Sequence, residues 1–278
     1  MIVLKDYKNF DVAQTFDCGQ CFRFNKTKEN EYSGVAFGKY IKAVCSDDEI
    51  ILHGIDEEEF ADVWKDFFDL DTDYAAIQKI IATDDIIKNA MEYGSGIRLL
   101  KQDLWECLIS FIVSQNNNIP RIKKIIEAIC TQYGTPIQTD DGAKYAFPTP
   151  EQLSCATKES LKELGAGYRD EYILLTAKAV AEGSFDLDEL KALPTDEARK
   201  MLLSLKGVGG KVADCILLFG MHRTEVCPHD VWVKRIFTQK YNIENKTEKK
   251  GYALASSKWG EYAGIAQQYL FYAERENK

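Results

Sequence analysis

One stretch constrains this 278-residue chain more than any other: Leu205-Lys206-Gly207-Val208-Gly209-Gly210-Lys211-Val212-Ala213-Asp214-Cys215. Three glycines within four positions allow a reversal that residues carrying a Cβ follow only with strain. Before it, Thr195 is placed to cap a helix with Asp196 and Glu197 in its first turn and Ala198, Met201, Leu202 and Leu205 along one face. After it, a second helix starts near Gly210 and runs through Val212, Ile216 and Phe219 to Gly220. Such a hairpin aims free backbone N–H groups outward. A helix N-terminus stripped of side chains admits a phosphate oxygen closely, so Gly207, Gly209 and the amide of Lys211 form a candidate phosphate cradle.

Lys211 falls in the first turn of the second helix, where the dipole disfavours an ammonium and eases loss of its proton. A solvated surface lysine is the ordinary reading of such a residue. Two features stand against it. Lys211 and Cys215 lie one turn apart on a face that continues to Leu218, so the amine can point into a partly apolar cleft. Beyond a Pro228-His229 turn, Asp230 can both cap a helix running to Tyr241 and face Lys211.

The first 55 residues read as strands. Phe10–Phe16, Cys21–Phe24, Tyr32–Phe37, Tyr40–Cys45 and Ile50–His53 are short β-rich runs, with turns at Gly38-Lys39 and in the polar segment from Asn25 to Asn30. An antiparallel sheet is the expected outcome. From Glu57 onward the spacing becomes helical: Phe60, Val63, Trp64, Phe67 and Phe68 form one face and Trp105, Leu108, Ile109 and Ile112 another. Further helices are expected over 119–133 and from Glu151, Asp170 and Asp186. Gly94 and Gly96 interrupt the helices, which places a domain boundary near 95: residues 1–95 as sheet plus helices, residues 96–278 as an all-helical domain. The fold class is therefore α+β.

The eight cysteines are scattered and mostly in apolar runs, which suits buried thiols rather than a disulfide framework. Cys18-Gly19-Gln20-Cys21 has metal-site spacing but no second pair, and with three histidines in the chain no metal site is expected. No apolar run approaches the roughly 20 residues of a membrane span, and no basic, apolar leader opens the sequence, so a cytoplasmic monomer with no membrane partner is expected. A net charge of −9 argues against nucleic acid at first sight. Residues 1–100 hold 11 Lys and Arg against 20 Asp and Glu, whereas residues 101–278 hold 24 of each. The acid excess is N-terminal, and the hairpin is surrounded by Arg199, Lys200, Lys206, Arg223, Lys234, Arg235 and Lys240.

Other stretches carry two readings each. Asn116-Asn117-Asn118, after an apolar helix, suits a C-terminal cap because asparagine tolerates positive φ; it also supplies amides, with Arg121, for a base edge. Gln267 and Phe271, one turn apart, form an ordinary helix edge on spacing alone, yet an amide and a ring on one face also suit a flipped purine.

The hairpin with Pro228-His229-Asp230-Val231 resembles the helix-hairpin-helix, Gly/Pro…Asp superfamily of DNA glycosylases. Gly96-Ile97-Arg98-Leu99-Leu100, the run from Phe111 to Ile119 and Leu164-Gly165-Ala166-Gly167-Tyr168-Arg169 resemble its 8-oxoguanine branch. The resemblance spans about Phe16 to the end of the chain. It implies a TBP-like N-terminal sheet ahead of the helical domain, and a glycosylase with AP lyase activity acting on double-stranded DNA. Lys211 and Asp230 would be catalytic, and Gly19, Cys215, Phe219, Gln267 and Phe271 would hold the damaged base. Asn116, Arg121 and Arg169 would read the opposite cytosine and Tyr168 would wedge the duplex. No cofactor is required; a monovalent cation on the hairpin carbonyls fits the family. The four-cysteine iron–sulfur loop of some relatives has no counterpart after Cys227, so no cluster is expected. Trp232 stands where the family often has histidine, and Phe219 where it often has an aliphatic or thioether side chain. Two other functions stay open at this point: a glycosylase for an alkylated purine or oxidised pyrimidine, and a non-catalytic DNA-binding module.

Overall fold

The computed structural model describes residues 1–5, 7, 9–46, 49–243 and 248–276. Five antiparallel strands form one sheet in the order β1-β5-β4-β3-β2: β1 Ile2–Lys5, β2 Phe24–Lys28, β3 Glu31–Ala36, β4 Lys39–Cys45 and β5 Glu49–His53. The register pairs Val35 with Tyr40 and Ala36 with Lys39 across the turn at Phe37 and Gly38, both of which have positive φ. Alternate residues of β4 and β5, among them Ile41, Ala43, Ile50 and Leu52, face the core.

Three details of the N-terminal part depart from the sequence reading. Residues 10–16 are not a strand: Val12–Asp17 is a helix, capped by Asp11, whose carboxylate accepts from the Gln14 N–H at 2.8 Å. Val12, Thr15 and Phe16 are buried at i, i+3 and i+4, so the helical period wins over the β-branched composition. The strand expected at Cys21 begins at Phe24 and continues through the polar residues assigned to a turn, because β2 lies on the sheet edge with its outer side chains in water. The edge strand β1 has no alternation long enough to read from four residues.

Phe16, Phe24, Trp64, Phe67 and Phe68 pack under the sheet, with Phe16 stacked on Phe24 at 4.0 Å. The segment after Glu57 is helical to Phe67 with a π turn over Phe60–Trp64. The remaining chain is helical around one large core, whose centre is the helix Leu104–Ser114. Within it lies a two-stranded hairpin, Pro136–Thr139 with Gly142–Tyr145, that the expectation of helix throughout had left out. It braces the N-terminal sheet: Lys42 pairs with Asp141 at 2.7 Å and Arg23 donates to the Tyr145 carbonyl at 2.5 Å.

The N-terminal and helical parts are joined by buried polar contacts as well as by packing. The Gln20 amide donates to the carbonyls of Thr15 (2.8 Å) and Arg98 (2.7 Å) and accepts from the Leu100 N–H at 2.9 Å. Gln268, from the last helix, donates to the Cys18 carbonyl at 2.7 Å. Residues 18–20 are therefore fixed between residues 98–100 and the last helix. That positions Gly19.

Candidate active site

The helix Thr195–Leu203 begins after Pro194, one residue earlier than a Thr195 cap requires, and the Thr195 hydroxyl donates instead to Glu225 at 2.6 Å. The chain then reverses with Gly207 at φ +86°. Its Cα lies against the Tyr172 ring so closely that a Cβ would fall inside the ring's van der Waals surface. Only glycine fits both the dihedral and the contact. Gly209 is the N-cap of the helix Gly210–Gly220 and supplies no side-chain acceptor to the first-turn amides, while Cβ atoms at Gly209 and Gly210 would meet nothing within 4 Å. Bare amides at an open helix N-terminus are the expected phosphate site.

Lys211 is half-buried on that first turn. Its ammonium sits 5.4 Å from the centre of the Phe111 ring, and its side chain reaches the Cys215 thiol. Burial pushes that thiol up to about 11, the Lys211 charge opposing only in part, so Cys215 is a neutral lining group. Asp230 caps the helix Val231–Gln239, accepting from the N–H groups of Trp232 (3.0 Å) and Val233 (2.8 Å). Burial raises its pKa above the ordinary carboxylate value, with the Val233 amide and then the Lys211 charge holding it down. Two helix starts thus bring an amine, a thiol and a carboxylate to one cleft. Trp232 is half-buried with the Arg235 guanidinium 5.1 Å from its ring centre.

The floor of the cleft is aromatic. Phe219 is buried and stacks on Phe111, with ring centres 5.3 Å apart and planes 11° from parallel. Gly19, at φ +81°, lies against the helix Ala263–Glu276. A Cβ there would lie 3.3 Å from Phe271 Cε1 and 3.4 Å from both Arg275 Nη1 and Ile119 Cδ1. Gln267 is 4% exposed, and its Oε1 accepts nothing among the described residues. A buried acceptor left unmet is costly, which marks Gln267 as more than a helix edge.

The residues expected to meet the opposite base behave differently from one another. Asn116 has φ +47° at the end of the helix Leu104–Ser114, and its side chain is exposed. Asn117 donates to the Val113 carbonyl (3.1 Å) and Asn118 caps the helix Ile119–Tyr133 through the Arg121 N–H (3.0 Å), so two of the three amides serve the turn. The Arg121 side chain is exposed. Arg169 departs from expectation: it is 3% exposed and turned inward, donating to the carbonyls of Gln115 (2.8 Å from Nε), Asn116 (3.1 Å) and Ala166 (3.2 Å). It holds the asparagine loop in place. Tyr168 stands out at 53% exposed, with the Arg169 guanidinium 4.4 Å from its ring centre and the Tyr172 ring edge-on at 6.0 Å.

Two residues at the cleft were not singled out from sequence. Phe111 could have been found as the aromatic in the last turns of an apolar helix that leads into the asparagine run, and Arg275 as the residue four beyond Phe271. Behind the lysine helix, Asp214 is buried, pairs with Arg199 and accepts from the Tyr252 hydroxyl. Asp214, next to Cys215 in the chain, is thus held in a structural ion pair.

The family model for HhH-GPD superfamily base excision DNA repair proteins matches residues 109–261, and that for the 8-oxoguanine DNA glycosylase N-terminal domain matches residues 2–108. The chain belongs to this superfamily. It is 42% identical over 214 residues to the N-glycosylase/DNA lyase of Saccharomyces cerevisiae, a match covering 64% of this chain and 57% of the yeast protein. It is 31% identical to an Arabidopsis thaliana N-glycosylase/DNA lyase over 94% of this chain and 76% of that protein. The Clostridium acetobutylicum 8-oxoguanine glycosylase/lyase, solved with double-stranded DNA containing cytosine opposite 8-oxoguanine, superposes with a TM-score of 0.94 at 37% identity, covering 100% of this chain and 98% of that one. The helices Thr195–Leu203 and Gly210–Gly220, the turn between them and Asp230 all lie within the residues that the HhH-GPD model matches.

Proposed function

We propose that this chain is a bifunctional DNA glycosylase/AP lyase that excises 8-oxoguanine, by preference opposite cytosine, from double-stranded DNA. The observation that carries the reading is the half-buried Lys211 at the hairpin helix start, beside a neutral Cys215 and within electrostatic reach of the half-buried Asp230. The hairpin amides hold one backbone phosphate, and the same hairpin carbonyls suit a monovalent cation. The damaged nucleotide leaves the stack, since its sugar carbon is out of reach within the duplex. Phe271 then stacks on the base, the Gly19 backbone and Gln267 meet its edges, and Phe219 and Cys215 close the pocket.

The Lys211 amine attacks C1′ and the base departs with the electron pair of the C–N bond. Asp230, ionised, stabilises the positive charge that develops on the sugar. Loss of a proton from nitrogen and opening of the sugar give a Schiff base, which acidifies the neighbouring C2′–H; its removal expels the 3′ phosphate and cuts the strand. Asn116 fills the space left by the flipped base, Tyr168 wedges the stack and Arg121 meets the cytosine. The inward Arg169 acts on this side by fixing the loop that carries Asn116.

Borohydride trapping on an 8-oxoguanine:cytosine duplex tests the reading. A covalent protein–DNA adduct is expected with the wild type and none with Lys211→Gln; trapping that persists in the variant rules out Lys211 as nucleophile. The preference for cytosine is tested by excision rates opposite cytosine and adenine, where a mispaired contact at Arg121 is worth about 1–3 kcal/mol, or roughly one to two orders of magnitude.

A further inference from the structure

The helix Ala263–Glu276 presents Gln267, Phe271 and Arg275 at four-residue intervals, which aligns the three side chains on one stripe. Gln267 and Phe271 meet the base in the proposed function. Arg275 lies at the same place and is held in a telling way. Its Nε donates to Glu276 Oε1 at 2.8 Å and its Nη2 to the Asp17 carbonyl. Its Nη1 is buried with no partner among the described residues. That nitrogen lies 3.4 Å from the point where a Gly19 Cβ would be, beside Phe271 Cε1 at 3.3 Å. The guanidinium carbon is 5.5 Å from the Phe271 ring centre and 5.6 Å from that of Tyr272, so two rings keep the group in plane-bound contact.

A long flexible side chain with two nitrogens fixed and a dry third is a donor awaiting an acceptor. At the opposite end of the stripe, Gln267 Oε1 is a dry acceptor awaiting a donor. Between them is the ring on which the base stacks. A purine with carbonyl oxygens flanking N7 and N–H groups on its other edge satisfies both at once.

We propose that Arg275 is a further recognition residue for the damaged base, its Nη1–H donating to a carbonyl oxygen beside N7, O6 or O8, while Gln267 accepts from the opposite edge. This rests on the function argued above. As the C1′–N9 bond breaks, its electron pair passes to the base and spreads onto those oxygens, so a guanidinium donating there also stabilises the leaving group. Cleavage of a strand that already lacks the base bypasses Arg275 altogether.

The experiment compares single-turnover excision of 8-oxoguanine opposite cytosine with cleavage of a preformed abasic duplex, for the wild type, Arg275→Leu, Arg275→Lys and Lys211→Gln. Arg275→Leu should excise 8-oxoguanine about 10- to 100-fold more slowly, the loss of one charged hydrogen bond, while cutting the abasic strand at the wild-type rate. Arg275→Lys should recover part of the excision. A parallel series on 8-oxoadenine, which keeps O8 but has an amino group at C6, identifies the oxygen: equal slowing on both bases assigns O8, and slowing on 8-oxoguanine alone assigns O6. Wild-type excision by Arg275→Leu, or equal losses on both duplexes, overturns the proposal. A wild-type protein that leaves 8-oxoguanine in place, whatever stands at 275, overturns instead the function on which it rests.

Discussion

Lys211 and Asp230 are nineteen residues apart, and each stands at the first turn of its own helix; Gly19 and Phe271, which lie against each other, come from opposite ends of the chain. The lysine side is set by local rules. Gly209 leaves a helix start uncapped, and Asp230 caps the next through two amides. The base side exists only when the whole core has closed, because Gly19 is held through Gln20 to residues 98–100 and through Gln268 to Cys18. On the proposed function, the chemistry is built locally, whereas discrimination between bases is entrusted to packing that spans the molecule.

That contrast can be attacked residue by residue. The largest effect belongs to the local side: Lys211→Gln should lower base release and strand cleavage together by upwards of roughly a thousandfold, measured under single-turnover conditions, with the melting temperature unchanged. Gly207→Ala comes next, forcing a Cβ into the Tyr172 ring at φ +86°; a loss of roughly 2–4 kcal/mol in denaturant unfolding is expected, and wild-type stability would show that the hairpin is not locked to that ring. On the long-range side, Gln267→Ala should slow excision of 8-oxoguanine by roughly 10- to 100-fold while preformed abasic sites are cut normally, and it should not destabilise, since it removes an unmet buried acceptor. If both substrates suffer alike, the two sides are not separable.

Asp230 gives a smaller, graded test. Its folded pKa is raised by burial, so on acidification it takes up a proton at a higher pH than an ordinary carboxylate, and the excision rate should fall by up to about tenfold per pH unit below that point. The sign for stability is opposite: a raised carboxylate pKa favours folding when protonated and opposes it as pH rises through the folded value. Asp230→Asn, which caps equally well, should therefore melt at the same or a higher temperature at neutral pH while losing activity. The smallest effect is at Gly210, where a Cβ meets nothing and φ is not positive. Gly210→Ala should leave stability within about 0.5 kcal/mol yet weaken binding to damaged and undamaged duplex alike by a few-fold, because the phosphate loses its close approach.

The same division explains what could be read from the chain unfolded. The hairpin helix start, the Asp230 cap and the positive φ at Asn116 all follow from residues within a few positions of each other, and the structure has them as expected. Residues 10–16 misled because Phe10, Val12 and Phe16 fit a strand by composition; Asp11 as a cap and burial at i, i+3 and i+4 decide for helix, and burial is a tertiary fact. The inward turn of Arg169 was equally hidden. Two of its three acceptors are carbonyls more than fifty residues away, and no spacing announces them. Resemblance supplied the roles of Gly19 and Phe271, which periodicity alone would have left as a bulge and a helix edge.

The contact between Gly207 and Tyr172 has a mechanical consequence for the DNA. Tyr172 belongs to the helix Asp170–Ala181, directly after Tyr168 and Arg169, and the Tyr168 ring rests edge-on against it. Glu171, its neighbour, ties Lys206 of the hairpin (2.7 Å) to Lys158 (2.8 Å). The hairpin proposed to grip a phosphate and the aromatic proposed to enter the stack are thus two prongs of one fork, tied together through Tyr172 and Glu171. A straight duplex seized by both prongs has no slack to find in the protein. On the proposed function, it is the double helix that would have to bend.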